Sequence, residues 1–143
     1  MMFYAVIDTN VLVSALLKMD SNPGKVFSSI INGETFIFVN EEILAEYKKV
    51  LSREKFHFPP QLIEDVLRRL EYNSKLISIG LKEYLEVNDP KDRCFYAVTL
   101  SGRESVDTLL VTGNIRHFPA EPFIVTPTEF VNMLDIERNK QLE

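Results

Sequence analysis

Four polar side chains lie at positions from which they could gather into a metal site. Asp8 directly follows one apolar run, and Asn114, with Thr112 before it, follows another. Glu46 and Asp92 lie beside the apolar sides of two helix-like segments. Two strand ends and two helix faces would thus supply carboxylates and a carboxamide, the hard oxygen ligands that Mg²⁺ or Mn²⁺ requires around an open position. The residue types predict a divalent-metal centre that can face an anionic substrate.

The two strand ends have structural explanations as well. The run Phe3–Ile7 is too short for a helix and predicts a strand buried on both faces. Ligands bind beyond the carboxyl ends of parallel strands, which puts Asp8 at the mouth of the fold. Alternatively, Asp8 is only the N-cap of the next helix, unless Thr9 or Asn10 takes that role. Asn114 has an alternative as a turn residue, because asparagine after glycine suits left-handed backbone.

Glu46 lies at the edge of an amphipathic helix. It is one turn from both Ile43 and Val50 on the apolar arc, which places its carboxylate beside the core rather than in open water. The alternative is a rim residue that pairs with Lys48 or Lys49.

Asp92 lies in the first turn of a predicted helix. Asp89 followed by Pro90 makes a good N-cap and first helical position. Asp92 is then the third helical residue, on the side shared by Phe95 and Tyr96, and is expected to point inward. The competing explanation is that a first-turn acid complements the helix dipole.

The rest of the chain alternates strands and helices with short connections, which predicts an α/β fold. The predicted strands are Phe3–Ile7, Thr35–Val39, 76–79, weakly 84–87, 108–112 and 123–125. The predicted helices span 11–17, 25–31, 41 to about 52 with Asn40 as N-cap, 61 to about 73 with Leu62, Val66, Leu67 and Leu70 at helical spacing, 90 to about 102, and a C-terminal helix after Thr128 with Phe130, Val131 and Leu134 inward.

Size and composition fit one globular domain over residues 1–143, with 45% hydrophobic and 26% charged residues. No stretch approaches the roughly 20 apolar residues of a membrane span, and the start lacks the features of a signal peptide. We therefore expect a cytoplasmic protein. The single cysteine, Cys94, fits a reducing compartment and is expected to be a buried small hydrophobe.

The net charge of −5 argues against loose, non-specific binding of nucleic acid, which depends on basic patches. A local site is still compatible with this charge. Converging carboxylates repel one another, and a divalent cation that relieves the repulsion can itself attract a phosphate.

Four motifs, in order along almost the whole chain, resemble the PIN-domain nucleases. They are the stretch 6–12 (Val-Ile-Asp-Thr-Asn-Val-Leu), the helix 43–47, the turn 89–92, and the stretch 110–114 followed by 117–119. The branch most similar to this chain comprises the VapC-like toxin components of bacterial toxin–antitoxin pairs.

The resemblance implies a three-layer α/β/α fold with a central, mostly parallel sheet. It also implies an Mg²⁺- or Mn²⁺-dependent endoribonuclease that cleaves single-stranded RNA, a homodimer and an antitoxin partner. The tail-like end 137–143 and the apolar helices would leave surface for that partner.

The resemblance also assigns roles to residues. Asp8, Glu46 and Asp92 match the acidic metal ligands, and Asn114 occupies a catalytic position where many members carry a fourth aspartate. Residues that could orient ligands or water through hydrogen bonds are Thr9, Asn10 and Thr112. Candidates for holding the RNA backbone are Lys18, Lys48, Lys49, Arg53, Arg93 and Arg116, most of which we expect to be merely solvated. We expect His117 to be structural, and His57 carries no signal.

Two other functions are compatible with parts of the pattern. A catalytically weakened PIN-like module that acts by binding a protein or RNA partner would explain Asn114. An aspartyl-phosphate enzyme or receiver domain would also place an aspartate at a strand end. Phosphatases of that kind need a second acid two residues later, where this chain has Asn10.

Overall fold

The computed structural model describes residues 2–78 and 89–142. The strands are β1 (Phe3–Ile7), β2 (Thr35–Val39), β3 (Ser74–Leu76), β4 (Thr108–Val111) and β5 (Ile124–Val125). The helices are α1 (Thr9–Leu17), α2 (Asn22–Ile31), α3 (Glu41–Leu51), α4 (Pro60–Tyr72), α5 (Pro90–Arg103) and α6 (Pro127–Gln141). Two short 3-10 turns, Glu54–Phe56 and Ile115–His117, complete the described structure.

The strands form one parallel sheet in the order β3-β2-β1-β4-β5. Strand β1 lies at the centre, with Ala5 opposite Ile37 on one side and Leu109 on the other. The chain builds outward from β1 in one direction and then returns to place β4 on its other side. A crevice therefore opens at the carboxyl ends of β1 and β4, where ligands bind in sheets of this kind. The order also differs from the 2-1-3-4-5 order of receiver-like folds.

Helices cover both faces of the sheet, which confirms the predicted three-layer α/β/α fold. On one face, the ring of Phe3 in β1 meets Phe130 of α6 edge-on, with 5.5 Å between ring centroids. On the other face, Phe38 of β2 lies against Gly102 of α5, where an added Cβ would fall 2.9 Å from the ring. That close approach explains glycine at this position of α5.

Local capping residues fix the start of two helices. The Asn40 side chain accepts the amide N–H of Ile43 at 2.8 Å, as expected for the N-cap of α3. The buried Cys94 thiol donates to the same Asn40 oxygen at 3.2 Å, so the cysteine is buried as predicted but also hydrogen-bonded. Helix α6 begins with a capping box between Thr126 and Glu129.

Several boundaries and faces differ from the predictions. Helix α2 begins three residues earlier than predicted, because Asn22 and Pro23 form its first turn behind the Ser21 cap. On α4, Val66 and Leu70 are buried and Leu67 is partly buried, as predicted, but Leu62 is exposed and Ile63 is buried in its place. Strand β3 ends at Leu76, and the prediction for 84–87 lies outside the described residues.

The predicted tail-like end of the chain, residues 137–143, is wrong, because most of it is helical. Helix α6 continues to Gln141, and Arg138 donates two hydrogen bonds to the Glu34 carboxylate at 2.6 and 2.7 Å. The inward residues of α6 are as predicted, since Phe130, Val131 and Leu134 are all buried. None of the described helices is both long and apolar enough to cross a membrane.

Candidate active site

Asp8 lies in the crevice between β1 and β4 and is buried, with 6% of its surface exposed. It occupies the N-cap position of α1, but its side chain makes no capping hydrogen bond to the helix. Its Oδ2 instead accepts the hydroxyl hydrogen of Thr112 at 2.7 Å. Asp8 is therefore the N-cap residue of α1 by position, as the alternative predicted, although its carboxylate is oriented by Thr112. The alternative that Thr9 or Asn10 caps α1 is wrong, because both lie inside the helix.

Thr112 connects the ends of the two strands. Its fully buried hydroxyl donates to Asp8 and accepts the backbone N–H of Asn114 at 3.0 Å. The hydroxyl therefore has a fixed direction, because its one hydrogen is used by the carboxylate. Asn114 follows as a half-buried residue at the start of a 3-10 turn, with no capping bond from its side chain.

The two helix carboxylates come to the same place. Glu46 is half-buried on α3, and neither Lys48 nor Lys49 forms an ion pair with it. Asp92 lies in the first turn of α5, and 16% of its side chain is exposed. The predicted positions beside the core are thus correct for both residues.

The three carboxylates and the Asn114 side chain line one cleft of about 210 Å³. Its walls include Asp8, Thr9, Asn10, Glu46, Asp92 and Asn114, together with Val50, Arg53, Asp89, Phe95 and His117. The structure therefore brings together every predicted metal ligand and catalytic residue. Thr112 supports the cleft from beneath through its bond to Asp8.

The surroundings of the cleft raise the pKa of two of its carboxyl groups, those of Asp8 and Asp92. Burial raises the pKa of Asp8, and the hydrogen bond from Thr112 together with the nearby backbone N–H groups of Thr9 and Asn10 only partly offsets this rise. Burial, followed by the charges of Asp8 and Asp89, raises the pKa of Asp92 to about 6 from its ordinary value of 3.8. Burial thus disfavours the charged form of both carboxyl groups, and the neighbouring negative charges add to this effect at Asp92.

Two cleft residues were not predicted as part of the site. Asp89 was assigned only a capping role, yet it lines the cleft and raises the pKa of Asp92. His117 was expected to be structural, but its Nδ1 lies 3.5 Å from Oδ2 of Asp92 and opposes the rise in the pKa of that carboxyl. Its position after β4, beside Asn114, was the available signal.

The donor chemistry of the cleft suits a hard divalent cation. Carboxylate and amide oxygens predominate, and the mutual repulsion of the carboxylates is the kind that a cation relieves. The buried Thr9 hydroxyl has no hydrogen-bond partner in the part of the chain that the structure describes, which is consistent with a missing polar group nearby. As the side chains lie, however, no three His, Cys, Asp or Glu residues within 2–78 and 89–142 form a group that could hold an ion. The fit is therefore one of residue type and shared location.

Of the basic residues proposed to hold RNA, Arg53 lines the cleft. Lys48 lies instead in a separate groove of about 500 Å³ between α3 and α4. Lys18, Lys49 and Arg116 are exposed and do not line the cleft, and Arg93 is half-buried with interactions of its own.

Comparison with models of protein families matches residues 4–116 to the model described as PIN domain. The matched stretch contains every residue predicted for the site. A search of curated proteins found no match.

Proposed function

The chain belongs to the PIN-domain family, whose members are in general metal-dependent nucleases, and from this premise we propose that it is an Mg²⁺- or Mn²⁺-dependent endoribonuclease for single-stranded RNA. We further propose that it is the toxin of a toxin–antitoxin pair, in the VapC-like branch. The observation that carries the nuclease proposal is the single cleft lined by Asp8, Glu46, Asp92 and Asn114.

We propose Asp8, Glu46 and Asp92 as the metal ligands. A bound cation would supply an activated water and would stabilise charge on the phosphate during in-line displacement. Thr112 would hold the Asp8 carboxylate in one orientation through the bond it donates. His117 would contribute a donor beside Asp92 and so limit which of its oxygens is free. Thr9 and Asn10 would orient water at the rim of the cleft.

Asn114 sets the expected strength of metal binding. A carboxamide provides a neutral oxygen where a fourth aspartate would provide a charged one, so a second ion should bind weakly or only with a substrate phosphate present. This supports a slow enzyme with one ion bound before substrate. It also keeps open the competing function, a weakened PIN-like module that acts by binding a partner.

The toxin role, an antitoxin partner, a homodimer and a cytoplasmic location rest on the sequence resemblance and composition. The helical end of α6 leaves less surface for a partner than the predicted tail would, because Arg138 already pairs with Glu34. Co-expression of the chain with its genomic neighbour, followed by assays of growth and of RNA cleavage, tests the toxin role: growth arrest by the chain alone and relief by the neighbour support it.

The enzyme proposal is tested by cleavage of single-stranded RNA with Mg²⁺ or Mn²⁺, with and without chelator. The native chain should cleave only with metal, and Asp8→Asn should lose most activity because it removes a charged ligand. Asp20→Asn is the matched control, since Asp20 is exposed and does not line the cleft. Equal cleavage by native protein and Asp8→Asn would mean a contaminating nuclease. Metal binding without cleavage would favour the weakened module.

A further inference from the structure

The short segment 53–58, which we call the basic–aromatic segment, differs in composition from the rest of this acidic protein. It combines two cations, Arg53 and Lys55, with two aromatic rings, Phe56 and Phe58, and His57 lies between the rings in the sequence. Only one acid, Glu54, interrupts it. Basic residues interleaved with aromatic side chains are typical of surfaces that bind single-stranded nucleic acid.

The two rings of the segment form a platform at the surface. Phe56 and Phe58 stack with 5.7 Å between centroids and 18° between planes, and both are half-buried against the core. The Lys55 ammonium lies 5.1 Å from the centre of the Phe56 ring. Since Lys55 is exposed at the surface, its flexible side chain can leave the ring without breaking any other contact that the structure records.

The backbone holds this platform in one conformation. Phe56 and His57 donate their amide hydrogens to the carbonyls of Arg53 and Glu54, each at 3.1 Å. Among the described residues, His57 is the one non-glycine with left-handed backbone, at φ 56°. Such a conformation is uncommon for residues other than glycine and often marks a ligand-binding segment. Its position between the two rings lets the side chains of residues 56 and 58 stack.

The segment begins inside the cleft. Arg53 lines the same cavity as Asp8 and Glu46, whereas Phe58 lines the groove between α3 and α4. The structure records no ion pair for the Arg53 guanidinium among the described residues, although carboxylates line the same cleft. A strand that places a phosphate at the cleft would therefore meet a cation first and then the rings.

We propose that the basic–aromatic segment binds the RNA strand next to the bond that is cut, an inference that rests on the proposed function. Arg53 contacts a backbone phosphate, and Phe56 stacks with an unpaired base in place of the Lys55 ammonium. Ring stacking needs a base that is not already stacked in a duplex, so the segment selects single strands with little sequence preference.

Equilibrium binding separates this proposal from catalysis. The probe is a fluorescent single-stranded RNA of about ten nucleotides, a length within the usual site size, bound to the Asp8→Asn chain in chelator and followed by anisotropy over a salt series. In this background, Arg53→Gln should weaken binding and reduce the slope of log affinity against log salt by about one phosphate contact. Phe56→Leu, which keeps an apolar side chain against the core, should weaken binding by roughly 5- to 100-fold without changing the slope.

Matched controls distinguish the segment from general effects of charge and packing. Arg69→Gln removes another exposed cation, and Phe123→Leu removes another half-buried ring that lies under a cation, with Arg103 at 4.4 Å. Both controls should bind like the background protein. A strand of the same length without bases should bind Phe56→Leu as tightly as the background protein, but should bind Arg53→Gln more weakly.

The proposal is overturned if the Arg53 and Phe56 variants bind with the affinity and salt slope of the background protein, or if the controls lose as much. It is also overturned if duplex RNA binds as tightly as the single strand. These failures leave the cleavage assay unaffected, so a native chain that cleaves RNA without needing the segment would retain the proposed function. A native chain that binds RNA through the segment but does not cleave it would reject the nuclease and keep the binding site.

Discussion

Replacing Asp92 with asparagine should stabilise the metal-free protein at neutral pH. Folding partly removes this carboxylate from water and, as a smaller effect, brings it beside Asp8 and Asp89, and together these raise its pKa to about 6. In the unfolded chain the same group ionises near its ordinary value of 3.8. A group whose folded pKa is raised contributes stability that is fully present below its unfolded pKa and is lost as pH rises through the folded value. The native fold should therefore lose stability between pH about 4 and about 6.

The structure sets the size of this effect. The difference between 3.8 and about 6 corresponds to about 3 kcal/mol. The side chain is only 16% exposed, so water screens a small part of the repulsion. Asparagine loses the favourable effect of a first-turn acid on the helix dipole, worth about 0.3–1 kcal/mol. We expect Asp92→Asn to raise the free energy of unfolding by about 2 kcal/mol at pH 7.

The measurement is urea unfolding in chelator across pH 4 to pH 8, a range that brackets the two pKa values. The gain of Asp92→Asn over the native chain should grow up to pH about 6 and then stay constant. Asp20→Asn, an exposed control, should show little difference at any pH. An Asp92→Asn chain that is no more stable than the native one at neutral pH would refute the argument that burial and neighbouring carboxylates disfavour the ionised form of Asp92.

Three further results follow from the same geometry. Mg²⁺ at about 100 times its dissociation constant should raise the unfolding free energy by about 2.7 kcal/mol, as measured by thermal or urea unfolding, and Asp8→Asn should abolish most of this gain. Thr112→Val should lower the rate of RNA cleavage about 10- to 100-fold. It should also move the acidic limb of the pH–rate profile to higher pH, because loss of the hydroxyl raises the pKa of Asp8 further. Thr112→Ser should restore the rate and the pH profile, and a serine variant as inactive as the valine variant would point to packing instead. Glu34→Gln should lower the free energy of unfolding by about 0.5–1 kcal/mol at neutral pH and leave it unchanged at low pH. The reason is that the hydrogen bond from Arg138 holds the pKa of Glu34 below 4.5, so the native pair is lost as pH falls through that lowered value. Equal unfolding curves at neutral pH would show that the pair contributes no stability.

The fold and the main site positions could be predicted because they depend on local pattern. An apolar run that ends in Asp8 predicts both a buried strand and a carboxylate at its carboxyl end. Asn40 and the proline at residue 60 mark helix starts through their own backbone and side-chain chemistry. The burial of Ile63 instead of Leu62 on α4 could not be predicted this way, because both residues are apolar and only the packing partner distinguishes them.

The same limit explains why the surroundings of Asp8 could not be predicted from the sequence. Near the residue itself, an N-cap and a metal ligand have the same signature: a carboxylate between a strand and a helix. The structure adds the Thr112 hydroxyl, 104 residues away along the chain, which donates a hydrogen bond to one carboxylate oxygen across the crevice. Asp89 and His117 join the site for the same reason, since the sheet order that brings β4 beside β1 also brings their segments to the cleft. A cluster assembled from distant segments at the crevice between β1 and β4 is therefore visible in a sequence only as separate weak positions, and the structure shows that these positions line one cleft.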